Sequence, residues 1–232
     1  MSRYKPELFR YLREYFSGMS SLGIKPVVVL DSSSIIQMEQ AFRRVHGYER
    51  AYQFIDDLTS TALERDALIV VPSGVGDEIT NHHLYHFLNK KPEISKKTVD
   101  RLSVCPTQLQ SVLSYLQTEE GVRRTDTFRY DLRGHYTENI TGKKATVDQI
   151  SVNDWEIIDS ALALAHYSAS LFKQKSEAGS PYPLRGCYRV AVLSADKHIS
   201  WTLEEAFNIP KGIALLDYMK PINTKEFTVG EQ

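Results

Sequence analysis

Pro26-Val-Val-Val-Leu-Asp31-Ser-Ser-Ser34 is the stretch on which the fold turns. The run Pro26–Leu30 is short, rich in β-branched residues and apolar on both faces. A strand of that kind belongs inside a parallel sheet, where both faces are covered. Asp31 follows at its C-terminal end. The three serines beyond it can open a helix, because short side-chain oxygens satisfy the free N–H groups of a first turn.

Working outward, the same strand-then-helix pattern recurs. Helical stretches over about 34–46 and 50–65 lead to a second apolar run, Ala67-Leu-Ile-Val-Val71, which Pro72 terminates. A helix from about 75 to 89 follows. Ser151 opens a long helix to about 175, and a linker with Gly179, Ser180, Pro181 and Pro183 leads to a third strand, Arg189-Val-Ala-Val-Leu193. A short helix near 202–208 and a last strand, Ile213-Ala-Leu-Leu216, close the pattern. Ahead of all this, Leu8, Phe9, Leu12, Tyr15 and Phe16 share one face of an N-terminal helix over 5–16. Strands separated by helices imply an α/β fold with a mostly parallel sheet covered on both faces. Ligands in such folds bind beyond the C-terminal ends of the strands. Asp31 and Asp196 both fall at that edge.

The 232 residues are read as one domain. It has an N-terminal helical extension (1–25), a core (26–217), an insertion within it (90–150, partly helical and then a loop or hairpin) and a C-terminal tail (218–232). Apolar and charged fractions of 42% and 25% are those of an ordinary globular chain. A net charge of −1 supplies no bulk attraction for a polyanion, so any such affinity must come from local patches or bound cations. Cys105 and Cys187 are too few for a disulfide framework and lack zinc-ligand spacing. With no apolar leader and no run of about 18 apolar residues, the expectation is an intracellular, cytoplasmic protein without a membrane segment, the nucleus being left open.

Four carboxylates stand out, and each has a plain structural alternative. Asp31 could cap the helix it precedes. Glu78, in Pro72-Ser-Gly-Val75-Gly-Asp77-Glu78-Ile79, could serve only the dipole of a first turn, and Asp77 competes for any role. Asp154 lies near the centre of the apolar arc formed by Ile157, Ile158, Ala161, Leu162, Leu164 and Ala165, yet with Ser151 it could form a capping box. Asp159, on the same helix, projects beside Glu156 and Ser160 toward the polar flank. Asp196 could be a turn residue. Taken together, carboxylates converging on one sheet edge repel one another unless cations bridge them. That convergence calls for a hard divalent ion, Mg²⁺ or Mn²⁺, rather than zinc.

In chain order these motifs are VVVLDSS, then Pro-x-x-Val-x-x-Glu-Ile, then NDWEIIDSA, then VAVLSADKH, and over residues 26–217 the chain resembles the PIN-domain nuclease superfamily. The resemblance implies a three-layer α/β/α sandwich and an endoribonuclease that cleaves single-stranded RNA by metal-activated water. Asp31, Glu78, Asp154 and Asp196 would be its metal-binding and catalytic acids. Ser32 and Ser194 fall where the family often carries a hydroxyl or amide that orients a carboxylate or bound water. The spacing from Glu78 to Asp154 is longer than in minimal toxin-type members. Segment 89–150 is locally basic, with eleven Lys plus Arg against eight Asp plus Glu. Its Arg123, Arg124, Arg129, Arg133, Lys143 and Lys144, interleaved with Phe128, Tyr130 and Tyr136, have the composition that stacks bases and holds phosphates. Two further readings stay open. One is a PIN-like RNA- or protein-binding module in an RNA-processing or ribosome-associated assembly, with a protein partner or a second copy; the other is a structure-specific DNA nuclease.

Other signals lead nowhere. His82 and His86 are spaced i, i+4, but no HExxH pattern and no third ligand accompany them. Ser33 stands where a phospho-aspartate site would carry its second Asp, and neither a GxxxxGK[ST] nor a GxGxxG loop occurs.

Overall fold

The first strand, β1 (Lys25–Leu30), lies inside the sheet as its two apolar faces require, with Val27, Val28, Val29 and Leu30 all buried. Each such side chain stabilises the fold by roughly 1.5–3 kcal/mol. On one side β1 pairs in parallel with β2 (Leu68–Val70), on the other with β3 (Tyr188–Ser194), and β3 pairs in parallel with β4 (Met219–Asn223). The chain is therefore α/β, with a small open parallel sheet in the order β2-β1-β3-β4. This computed structural model describes residues 7–88, 95–102, 151–196, 199, 203 and 219–223.

Helices connect and cover the strands. The N-terminal helix α1 (Glu7–Ser21) buries Leu8, Leu12 and Phe16, one stripe at i, i+4, i+8, against α3 (Gln53–Leu63) and β1. After β1 the chain enters α2 (Ser32–His46), which ends at Gly47. There φ is +80°, a backbone conformation that favours glycine, and the Gly47 N–H closes on the Arg43 carbonyl. A short 3₁₀ turn, Tyr48–Arg50, leads to α3. Next come α4 (Ser73–Leu88), α5 (Lys96–Leu102) and the 26-residue α6 (Val152–Glu177), which packs on β1, β3, β4 and α4. Among the described residues no helix is long and apolar enough to cross a membrane.

Two expectations change. The C-terminal tail expected over 218–232 contains a strand: Met219–Asn223 forms β4, in register with Val190–Ser194. An edge strand needs no continuous apolar run, and Pro221 is tolerated there because an edge strand can leave one row of N–H positions unpaired. Ile213–Leu216 lies outside the described residues, and of the helix expected near 202–208 only Leu203 is described, as helical. Asp159 is half-buried rather than placed on a polar flank. The covered face of α6 is wider than its apolar arc, since Ser160 and Ser168 are buried too.

Candidate functional site

The strand order decides what meets what. Chain leaving β1 turns outward to β2, whereas β3 lies on the opposite flank of β1, so the connections diverge between β1 and β3. In parallel α/β sheets ligands bind at such a divergence, beyond the C-terminal ends of the strands. Leu30 pairs with Leu193, and the Asp31 N–H donates to the Leu193 carbonyl at 3.1 Å. Asp31 and the Ser194–Asp196 turn are thereby held side by side.

Asp31 occupies the N-cap position of α2 with extended backbone, but its carboxylate makes no capping hydrogen bond. Instead it is buried and receives serine hydroxyls. Ser194 Oγ donates to Oδ2 at 2.7 Å, Ser33 Oγ donates to the same oxygen, and Ser32 Oγ lies 3.3 Å from Oδ1. The serines are themselves fixed: the Ala195 N–H donates to Ser33 Oγ at 3.0 Å, and the Asp196 N–H to Ser194 Oγ at 2.8 Å. Ser32 Oγ also lies 3.0 Å from Glu78 Oε2, so its single proton can serve either carboxylate.

Because α4 begins at Ser73, Glu78 sits in its second turn, and no acidic residue occupies the first. The dipole alternative for Glu78 therefore falls away. Glu78 is half-buried and faces Ser32, with Asn153 Nδ2 at 3.5 Å from Oε2, while Asp77 is exposed. Asp154 is half-buried, and here the plain alternative is realised. Ser151 Oγ accepts from the Asp154 N–H at 3.1 Å, and the Ser151 N–H donates to Asp154 Oδ2 at 3.0 Å, a complete capping box.

Electrostatics ties the four acids into one group. Burial raises the Asp31 carboxyl above its ordinary range, opposed by the Ser33 and Ser194 hydroxyls and reinforced by the Asp154 charge. Asp154 is also raised, first by burial, with Ser151 opposing and the charges of Asp196 and Glu78 adding to it. The neighbouring charges that raise both residues are thus themselves carboxylates. As their side chains lie, however, no group of three or more His, Cys, Asp or Glu could hold a metal ion among the described residues. Asp154 has one carboxylate oxygen turned back to its own helix start.

Ser32 and Ser194 stand where expected, beside the acids. Ser33, Asn153, Glu156 and Gly74 also lie beside the acids; Ser33 and Asn153 fall within the motifs VVVLDSS and NDWEIIDSA, but the motifs assign them no role. Ser33 sits in a run of three serines, and only the phase of α2 selects its neighbours. Glu156 Oε2 accepts from the Gly74 N–H at 2.9 Å, joining α6 to the start of α4. The basic residues Arg123, Arg124, Arg129, Arg133, Lys143 and Lys144 lie outside the described residues.

Searches for relatives return nothing that would classify the chain: no family model, no curated protein and no solved structure matches it.

Proposed function

We propose that this chain is a PIN-like, metal-dependent endoribonuclease of three-layer α/β/α architecture acting on single-stranded RNA. One observation carries the proposal. Asp31, Glu78, Asp154 and Asp196 come from four separate elements to the C-terminal edge of the sheet, where burial and mutual repulsion raise Asp31 and Asp154. A fold keeps such a costly group where a cation or a reaction uses it. Two sets of helix contacts fit the layered arrangement: α1 on β1 and α3 on β2, against α2 on β3 and α6 on β1, β3 and β4.

The donor chemistry fits Mg²⁺ or Mn²⁺, since all four acids and the adjoining serines offer hard oxygen and no soft ligand. Asp31, Glu78, Asp154 and Asp196 would hold the ion. When bound, it supplies a water acidic enough to attack a phosphodiester near neutral pH and offsets charge on the phosphate. The protein's own part is orientation. Ser33 and Ser194 fix the rotation of Asp31, Ser32 links Asp31 to Glu78, and Asp154 must release the Ser151 N–H to offer both of its oxygens.

The capping box on Asp154 and the lack of a ready three-carboxylate group among the described residues favour a second reading, a binding module with little catalysis. End-labelled single-stranded RNA and matching DNA, incubated with the protein in Mn²⁺, Mg²⁺ or EDTA, separate the two. The nuclease reading expects metal-dependent RNA cleavage that an Asp31→Asn, Asp154→Asn double variant lacks. RNA binding without cleavage by the wild type would leave the module, and cleavage of DNA alone would change the substrate.

A further inference from the structure

Gly74 lies in the first turn of α4, where backbone N–H groups have no acceptor within their own helix. Its N–H is taken instead by Glu156 Oε2 of α6, at 2.9 Å. A methyl group at this position would stand 2.5 Å from Glu156 Oε2 and 2.7 Å from Asn153 Oδ1, so the ends of both side chains would have to shift and the contact of Glu156 with the Gly74 N–H would be disturbed. Asn153 reaches onward from there, with Nδ2 3.5 Å from Glu78 Oε2. Asn153 and Glu156 flank Asp154 on the first turns of α6, and Glu78 lies one helical turn beyond Gly74 on α4. Gly76, on the same helix, meets nothing within 4 Å and provides a control.

We infer that Asn153 and Glu156, closing on the bare Cα of Gly74, are positioning residues that set the approach of α4 to α6 and with it the placement of Glu78 beside Asp154. Neither residue needs to touch a cation for this. The inference rests on the cation reading above, because the placement matters to function only if the two carboxylates share an ion.

Two measurements on the full chain test it, each variant first being checked for folding by circular dichroism. The first is Mn²⁺ affinity by titration calorimetry. Gly74→Ala and Glu156→Ala should each weaken binding about tenfold, the lower end of what supporting residues contribute at metal sites. Gly76→Ala should leave it unchanged, and Glu156→Gln, which keeps an acceptor oxygen, should restore most of it. The second is amide hydrogen exchange of Gly74 without metal, which should be slow in the wild type and fast in Glu156→Ala. Wild-type Mn²⁺ affinity in both Gly74→Ala and Glu156→Ala would overturn the positioning role, as would fast Gly74 exchange in the wild type. A wild type that binds no Mn²⁺ while its Gly74 amide stays protected would overturn the cation reading, and the positioning role with it, leaving only a helix cap.

Discussion

Asp31 and Glu39 lie about two helical turns apart, one at the start of α2 and the other within it. Both are removed from water, at 3% and 0% exposure, and they are treated in opposite ways. Glu39 Oε1 accepts from the Arg43 guanidinium at 2.9 Å and from the Ser95 N–H at 2.7 Å, which ties α2 to the head of α5. Its charge is answered by a cation of the same chain. Asp31 receives serine hydroxyls and, more weakly, the Ser33 N–H, and the charge that acts on it is another carboxylate. Burying a carboxylate is tolerable when pairing and hydrogen bonds offset lost hydration. The Glu39 end of the helix meets that condition from within the chain through Oε1, while Oε2 is buried with no hydrogen-bond partner among the described residues. At the Asp31 end no cation among the described residues plays that part, and under the proposed reading a bound divalent ion would.

Exchanging charge for neutrality at the two positions tests that contrast most strongly. Glu39→Ala breaks a buried pair and strands the Ser95 N–H, and should cost about 3 kcal/mol, the lower end for such a loss because Arg43 keeps some access to water. Asp31→Asn removes a charge the fold disfavours and keeps an acceptor oxygen, so in EDTA it should match or exceed the wild type in stability. Thermal denaturation of both variants reads the difference, and equal losses would erase it.

Divalent cation sharpens it next. Mg²⁺ or Mn²⁺ at a hundred times its Kd should stabilise the wild type by about 2.7 kcal/mol. Asp31→Asn should show little of this and Glu39→Gln most of it, as read by the rise in melting temperature with added metal.

Smaller still is the effect expected within the serine run. Ser33→Ala deprives the Ala195 N–H of its acceptor and Asp31 of a donor, and should cost about 1–2 kcal/mol in urea denaturation. Ser32→Ala removes only a shared hydroxyl proton and should cost less, its effect appearing in cation affinity instead.

The gentlest probe is pH. Asp31 and Asp154 are raised in the folded chain above the ordinary carboxyl value of 3.8, so the folded state holds their protons to higher pH than the unfolded state. Their destabilising effect is absent below that value and grows as pH rises through the folded value. As pH rises above about 3.8, metal-free wild type should therefore lose more stability than Asp31→Asn. Saturating Mg²⁺ should remove the difference. Parallel pH profiles for the two proteins would contradict the role given to Asp31.

Much of the scaffold is legible in the sequence, because strand burial leaves a one-dimensional mark. Val27–Leu30 and Val190–Leu193 read as interior strands, and they are buried throughout. β4 left no such mark, since an edge strand containing Lys220 and Pro221 lacks a continuous apolar run. The site was legible in part. Asp154 stood out because a carboxylate interrupted an apolar arc, and Asp31 because it ended a buried strand. Their plain alternatives then resolved in opposite directions: Asp31 does not cap its helix, whereas Asp154 does. Capping depends on side-chain rotation, which residue spacing does not specify.

Sequence by itself determined that this chain builds a parallel α/β core and that acidic residues terminate or follow its strands and begin its helices, because periodicity and strand-end position are properties of local chain. Only the tertiary structure decided that β3 lies against β1 on the side away from β2, which brings Ser194 to Asp31. It also decided that Ser33 rather than Ser34 supports that carboxylate, and that Gly74 admits Glu156 between α4 and α6. Those contacts join residues far apart in the chain, and they follow from strand order and helix packing, which no local pattern encodes.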